Sequence, residues 1–333
     1  MRIGVFDAKP FDKLYLPDTP DASSPFDWVF FDPRLSEQTI DLVHGIDVIC
    51  VFVHDTVNRA VLAKLKEKGV RLVALRCAGF NNVDLEAAKE FGIPVVRVPA
   101  YSPYSVGEFA VGMMMSLNRK YHRAYQRVRE GNYAINGLLG FDMHGRTVGV
   151  IGTGKIGEVV CRILKGFGCR VLAHDVNVNP NLASLDIPYL PLDSLLAESD
   201  IITLHCPLLA ETHYLINDST ISKMKRGVML INTSRGGLVE TAAVIRALKS
   251  QHIGFLGLDV YEEEEDLFFA DRSAEVLQDD IFARLLTFPN VLITAHQAFF
   301  TKDALEGIAR TTHESIEAFK NGAPMKHQVL PNS

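Results

Sequence analysis

Thr147-Val148-Gly149-Val150-Ile151-Gly152-Thr153-Gly154-Lys155-Ile156-Gly157 is the stretch from which the rest of the chain can be read. A β-branched run of strand type ends in G-x-G-x-x-G and passes directly into helix-type sequence, and the next strand-type run, Arg170–His174, closes on Asp175. In such a unit the first glycine permits the tight turn, the second lets a pyrophosphate approach the backbone, and the third lets helix and strand pack closely. The helix N-terminus favours negative charge. Asp175 follows at about the 20-residue spacing from which an acid accepts hydrogen bonds from both ribose hydroxyls. A carboxylate there also repels a 2′-phosphate, so NAD is expected rather than NADP. The expected dinucleotide site therefore contains Gly152, Thr153, Gly154, Lys155, Ile156, Gly157 and Asp175. Gly149 to Lys155 also fits the first part of a P-loop, but Ile156 stands where the magnesium-binding Ser or Thr must be, which excludes ATP.

Outward from the motif, short β-branched runs alternate with amphipathic stretches, the pattern of βα units in a parallel sheet. After Thr147 the expected strands are Thr147–Ile151, Arg170–His174, Ile201–His205, Val228–Asn232, Phe255–Val260 and Val291–Thr294, followed by a helix from Lys302 to about Lys320. Six strands complete a doubly wound dinucleotide fold. The first hundred residues then need a sheet of their own, from Arg2–Phe6, Trp28–Phe31, Asp47–Val53, Arg71–Arg76 and Val95–Val98, with helices at Ser36–His44, Asn58–Lys68 and Asp84–Phe91. Ser102 and Pro103 read as the start of one long helix running to Gly131, a candidate self-association surface. The expected organisation is two α/β domains. A flavodoxin-like substrate domain of residues 1–101 and 299–333 is interrupted by a Rossmann NAD-binding domain of residues 102–298.

Composition narrows the function class. The 333 residues carry a net charge of -6, with 34 Lys and Arg against 40 Asp and Glu, and no basic block suited to nucleic acid. No secretory signal or bilayer-length apolar run is read, so a cytoplasmic protein acting on a small molecule is expected. Cys50, Cys77, Cys161, Cys169 and Cys206 lack CxxC spacing, arguing against a disulfide framework or a metal site.

Ligands of doubly wound sheets bind beyond the carboxyl ends of the strands. Three successive ends carry polar groups: Ser234-Arg235-Gly236-Gly237, the acidic run from Glu262 after Tyr261, and His296-Gln297. An Arg can pair with a substrate carboxylate, a His can move a proton on or off a substrate oxygen, and a Glu can hold that His protonated. Periodicity does not choose among the glutamates. His205, after the third strand of this domain, is expected on the adenosine side. From the first domain, Ala78 and Gly79 can offer backbone N–H groups to a carboxylate, while Phe52 and Tyr101, with Phe299 and Phe300 near the return crossing, narrow a pocket.

These segments, LRCAGFNNVD, VRVPAYSP, GVIGTGKIG, LHCPL, INTSRGGLV, LDVYEEE and TAHQAFFT, closely resemble the NAD-dependent D-2-hydroxyacid dehydrogenases, most of all the fermentative D-lactate group. The similarity covers essentially the whole chain. It implies catalytic roles for Arg235, Glu264 and His296 and a contact from Tyr101 to the substrate carboxylate. On the cofactor side it adds Cys206, Pro207, Thr233, Ser234 and Asp259, the last supporting the site from behind. It further implies reduction of pyruvate to D-lactate by a homo-oligomer, dimer or tetramer. The family usually has proline before the catalytic His, and here Ala295 occupies that place. Glu264 in place of Gln separates the chain from formate dehydrogenases, and a glycine motif at Gly152 separates it from L-lactate and malate dehydrogenases. The alternatives are an enzyme for a larger 2-keto acid and an NADH-sensing interaction protein.

Overall fold

The structure is a computed structural model that describes residues 1–17 and 26–331. It divides into two compact units, Met1–Ser102 with Phe300–Ser333, and Pro103–Phe299. Among the described residues each unit holds one six-stranded sheet.

In the first unit, β1 (Arg2–Val5), β2 (Asp27–Phe30), β3 (Val48–Val51), β4 (Leu72–Leu75) and β5 (Val95–Arg97) lie parallel in the order β2-β1-β3-β4-β5. That is the flavodoxin-like order. β3 and β4 are buried along their whole length, as strands covered on both faces must be. The helices Arg59–Glu67 and Leu85–Glu90 begin at Asn58 and Asp84, whose side chains accept from Val61 N–H and Ala87 N–H. Three elements of this unit differ from expectation, among them the strand Gln328–Val329, which lies outside the five expected. Over Ser36–His44 only Ile40–Leu42 is helical, and as a 3-10 turn. Thr39 Oγ1 donates to Arg34 O and accepts from Ser36 N–H, so the hydroxyl has taken backbone groups an α-helix would use. The helix Pro10–Tyr15 was not anticipated.

In the second unit, β6 (Thr147–Ile151), β7 (Arg170–His174), β8 (Ile201–Leu204), β9 (Val228–Asn232), β10 (Ile253–Leu258) and β11 (Val291–Ile293) run parallel in the order β7-β6-β8-β9-β10-β11. Tyr189 adds a single parallel bridge to Ala173 outside β7. Counting that bridge restores the 3-2-1-4 start of the dinucleotide fold, with the order reversing between β6 and β8. Apolar cores fill both faces of the sheet, one around Leu195, Leu230 and Leu256, the other around Met114, Val150 and Ile231.

The long helix expected from Pro103 to Gly131 is two helices, Pro103–Arg119 and Tyr121–Arg129. They break at Lys120, which takes the left-handed conformation, φ 54°. Asn118, beside the break, exchanges hydrogen bonds with Phe141 N–H and C=O, and Lys120 Nζ donates to Leu139 O. Segment 139–141 thus ties down the helix end, a long-range constraint that local periodicity does not carry. The helix Lys302–Lys320 returns the chain to the first unit, where β12 (Gln328–Val329) adds antiparallel to β5.

Candidate active site

The glycine turn sits where β6 ends. Gly152 has φ 91°, and a Cβ there would lie 2.4 Å from Cys206 N, so a side chain is excluded by conformation and by the neighbouring end of β8. A Cβ at Gly157 would fall 2.0 Å from Gly152 O, which fixes the close crossing of helix Lys155–Gly166 over the turn. At Gly154 a Cβ would meet nothing within 4 Å. Open space over the helix N-terminus, edged by a turn of backbone, is the cradle a pyrophosphate needs.

Asp175 closes this turn. Its Oδ2 accepts from Thr153 N–H at 2.6 Å and Oγ1 at 3.1 Å, and its Oδ1 accepts from Asn177 N–H at 3.0 Å. Burial works against its charge, but the N–H bonds from Asn177 and Thr153 prevail and hold the carboxyl below its usual range. Two supports were missed from sequence. Tyr189 Oη donates to Thr153 Oγ1 at 2.9 Å, and Asn179 Nδ2 donates to Thr153 O at 2.8 Å.

Among the described residues, two buried polar atoms at neighbouring strand ends have no hydrogen-bond partner: His205 Nδ1 beyond β8 and Thr233 Oγ1 beyond β9. Buried polar groups are normally hydrogen-bonded. The two ends are joined where Ser234 Oγ donates to Cys206 O at 2.7 Å. Open cradle, ionised Asp175 and these atoms along one edge of the sheet fit a bound dinucleotide. Burial pulls His205 down to about 4, from 6.5, so the folded ring stays neutral where the unfolded one takes a proton. Stability from this group is complete above pH 6.5 and is lost as pH falls through the window to about 4. His205→Gln is expected to lose about 2 kcal/mol less unfolding free energy than the parent between pH 7.5 and pH 5. Denaturant titrations at both values check this. Asp55, pushed up to about 6 chiefly by burial, acts with opposite sign in both proteins and cancels in the comparison.

The three polar strand ends identified from sequence all lie in the second unit, and a side-chain hydrogen bond joins two of them, Glu264 and His296. Arg235, half-buried after β9, donates from Nη1 to Ser234 O at 2.7 Å, while its carbonyl accepts from Asn232 Nδ2 at 2.8 Å. After β10, Glu264 turns inward and Glu263 and Glu265 stay exposed. Glu264 Oε2 accepts from Tyr261 N–H at 3.0 Å, and its Oε1 lies 2.7 Å from His296 Nδ1. Because an ionised carboxylate only accepts, Nδ1 carries the hydrogen. Glu262, by contrast, accepts from Thr241 N–H at the start of a helix.

His296 has φ 52°, an uncommon conformation for a residue with a side chain. Its backbone is held by Asp259, whose C=O accepts from His296 N–H at 2.7 Å and whose carboxylate accepts from Thr294 Oγ1, Gln297 N–H and Ala298 N–H. Asp259 is fully buried. It is enclosed by the loop it supports. Phe269, missed from sequence, places its ring centroid 5.5 Å from the His296 ring, and Phe299 lies 6.4 Å from both.

In the first unit, Phe52 is buried at the end of β3. Its N–H donates to Asp55 Oδ2 at 2.6 Å, its C=O accepts from Asn82 Nδ2 at 3.0 Å, and its ring lies 4.9 Å from the Arg76 guanidinium. Arg76, itself buried, is paired with both oxygens of Asp12. Ala78 and Gly79 form the half-buried turn after β4, where Arg97 Nη1 donates to Ala78 O. Tyr101 is half-buried at the end of the unit's first segment, and Phe300 packs edge-on against Phe11.

A parallel dinucleotide sheet with a histidine, a glutamate and an arginine at successive strand ends defines a nicotinamide-dependent oxidoreductase. The chain belongs to the D-isomer specific 2-hydroxyacid dehydrogenases: residues 111–298 match the family's NAD binding domain, and NAD is the cofactor. Relatives extend the match to the full length. The chain is 54% identical to a 2-hydroxyacid dehydrogenase homolog of Haemophilus influenzae over 332 residues, covering 100% of both chains. It is 51% identical to the D-lactate dehydrogenase of Escherichia coli over 330 residues, 99% of this chain and 100% of the other. The solved structure of the pyruvate reductase of Chlamydomonas reinhardtii superposes with a TM-score of 0.92 at 47% identity, covering 98% of each chain.

Proposed function

We propose that this chain reduces pyruvate to D-lactate with NADH, with His296 as the general acid. The observation that carries the reading is the bond between His296 Nδ1 and Glu264 Oε1 at 2.7 Å, which commits one ring nitrogen and leaves Nε2 to serve a substrate oxygen. Pyruvate as substrate, and the D product, are supported by what the E. coli and Chlamydomonas relatives are named for.

When bound, NADH supplies the hydride that reduces the keto carbon. His296 donates its Nε2 proton to the keto oxygen, completing the alcohol, and takes that proton back in lactate oxidation. Glu264, ionised beside the ring, favours the imidazolium that makes the donation possible. Arg235 pairs with the substrate carboxylate. Gly152, Thr153, Gly154, Lys155, Ile156 and Gly157 hold the pyrophosphate, and Asp175 holds the adenosine ribose. His205, Cys206, Pro207, Thr233 and Ser234 line the cofactor's path. Phe52, Ala78, Gly79, Tyr101 and Phe299 are the proposed substrate-binding residues, and residues 1–101 and 299–333 the proposed substrate domain.

We assign the protein to the cytoplasm as a homo-oligomer, dimer or tetramer. Among the described residues no helix is long and apolar enough to cross a membrane. Tyr121, Tyr125, Val128, Ile135 and Leu139 expose apolar surface along one segment, which supports self-association.

NADH consumption across a panel of 2-keto acids tests the substrate assignment. The highest kcat/KM is expected for pyruvate. A higher value for 2-ketoisocaproate overturns the pocket assignment, and no turnover of any 2-keto acid restores the NADH-sensing alternative. NADPH is expected to be disfavoured on the order of 10²-fold, since a like charge against a fixed carboxylate costs several kcal/mol. Asp175→Ala should narrow that gap, and equal kcat/KM values for the two cofactors in the parent enzyme contradict the role given to Asp175.

A further inference from the structure

Phe269 carries a backbone conformation that a bulky residue rarely adopts, φ 64°, and it faces another such residue, His296, at φ 52°. Strain of this kind persists where the surroundings over-determine it, and it gathers at functional sites. Here the two strained residues meet through their rings, at 5.5 Å and an interplanar angle of 40°. Phe299 completes the set, 81° to the His296 ring and 57° to Phe269. Glu264 holds Nδ1 at the edge of the imidazole, which restrains torsion about the His296 Cβ–Cγ bond at one ring atom. An apolar ring packed beside it at 40° restrains that torsion further. The side chains of His296 and Glu264 are only 17% and 16% exposed, with Phe269 packed beside the imidazole.

We propose that Phe269 is a positioning residue for proton transfer: its ring, presented by a strained turn after the 3-10 segment Glu264–Asp266, sets the plane of the His296 imidazole and with it the line from Nε2 to the substrate oxygen. This rests on the assignment of His296 as the proton donor. Phe269 touches no reacting atom. It acts through His296, and its ring also lies 6.4 Å from that of Phe299.

The test compares Phe269→Ala, Phe269→Leu and Phe269→Tyr with the parent enzyme in pyruvate reduction, measuring kcat, the KM for NADH, and the solvent deuterium isotope effect on kcat. Misplacing a reacting group by about 1 Å costs as much as 10²-fold. For Phe269→Ala the expected result is a fall in kcat of about tenfold or more, an unchanged KM for NADH and a larger solvent isotope effect, because proton transfer becomes more rate-limiting. Leu, of similar bulk but without a flat face, should behave like Ala, and Tyr should restore both kcat and the isotope effect. A reduced amount of folded enzyme with the parent isotope effect, or Leu as active as the parent, overturns the proposal. His296→Ala run in parallel separates the two assignments. If it retains activity, the proton-donor reading has failed. If it is inactive while Phe269→Ala matches the parent in kcat and isotope effect, only the role of Phe269 has failed.

Discussion

His296→Ala is expected to slow pyruvate reduction by about 10²- to 10⁴-fold, the range lost when a positioned acid is removed, while NADH still binds. The separation follows from the layout. The glycine turn and Asp175 belong to the ends of β6 and β7, whereas His296 follows β11 at the opposite edge of the same sheet. Binding measured by NADH fluorescence should therefore be preserved when turnover is lost. Glu264→Gln should be milder. An amide at the position of Oε1 keeps a partner for Nδ1 but not the negative charge, so kcat for reduction is expected to fall by less than about 10²-fold with NADH binding unchanged. A Glu264→Gln enzyme with the parent kcat would remove Glu264 from the role, and a His296→Ala enzyme within a few-fold of the parent would remove His296.

Arg235→Gln is the second large effect. Truncating one member of a hydrogen-bonded charge pair costs about 2–5 kcal/mol, roughly 30- to 4,000-fold in kcat/KM for pyruvate at 1.4 kcal/mol per tenfold. Part should appear in kcat, because the same pair sets the angle of the keto group. Arg235→Lys is expected to recover little, since an ammonium keeps the charge but not the planar fork. Full recovery by Lys would mean that charge alone, without bidentate geometry, orients the substrate.

The two sheets were legible because each strand is a short local run and the turn chemistry at Gly152–Gly157 is written in adjacent residues. The six strand-type runs after Thr147 supplied the strands of that sheet, and His296, Arg235 and the acidic run after Tyr261 followed from asking which strand ends carry polar groups. What escaped was long-range. Lys120 breaks a helix because segment 139–141 binds its end. Ser36–His44 shortens to a 3-10 turn because Thr39 captures backbone groups. Tyr189 extends the sheet through one bridge, too short to show as a strand-type run. Glu264 could be chosen from the acidic run only by family resemblance, because the turn that points it inward depends on Tyr261 N–H. Phe269 gave no signal at all, since its contact with His296 spans 27 positions and depends on two left-handed backbones.

Chiral analysis of the product formed from pyruvate and NADH tests the central claim most directly. The account predicts D-lactate, formed with one NADH consumed per molecule and nearly abolished in His296→Ala. L-lactate as the product, or D-lactate formed at the parent rate by His296→Ala, would contradict it.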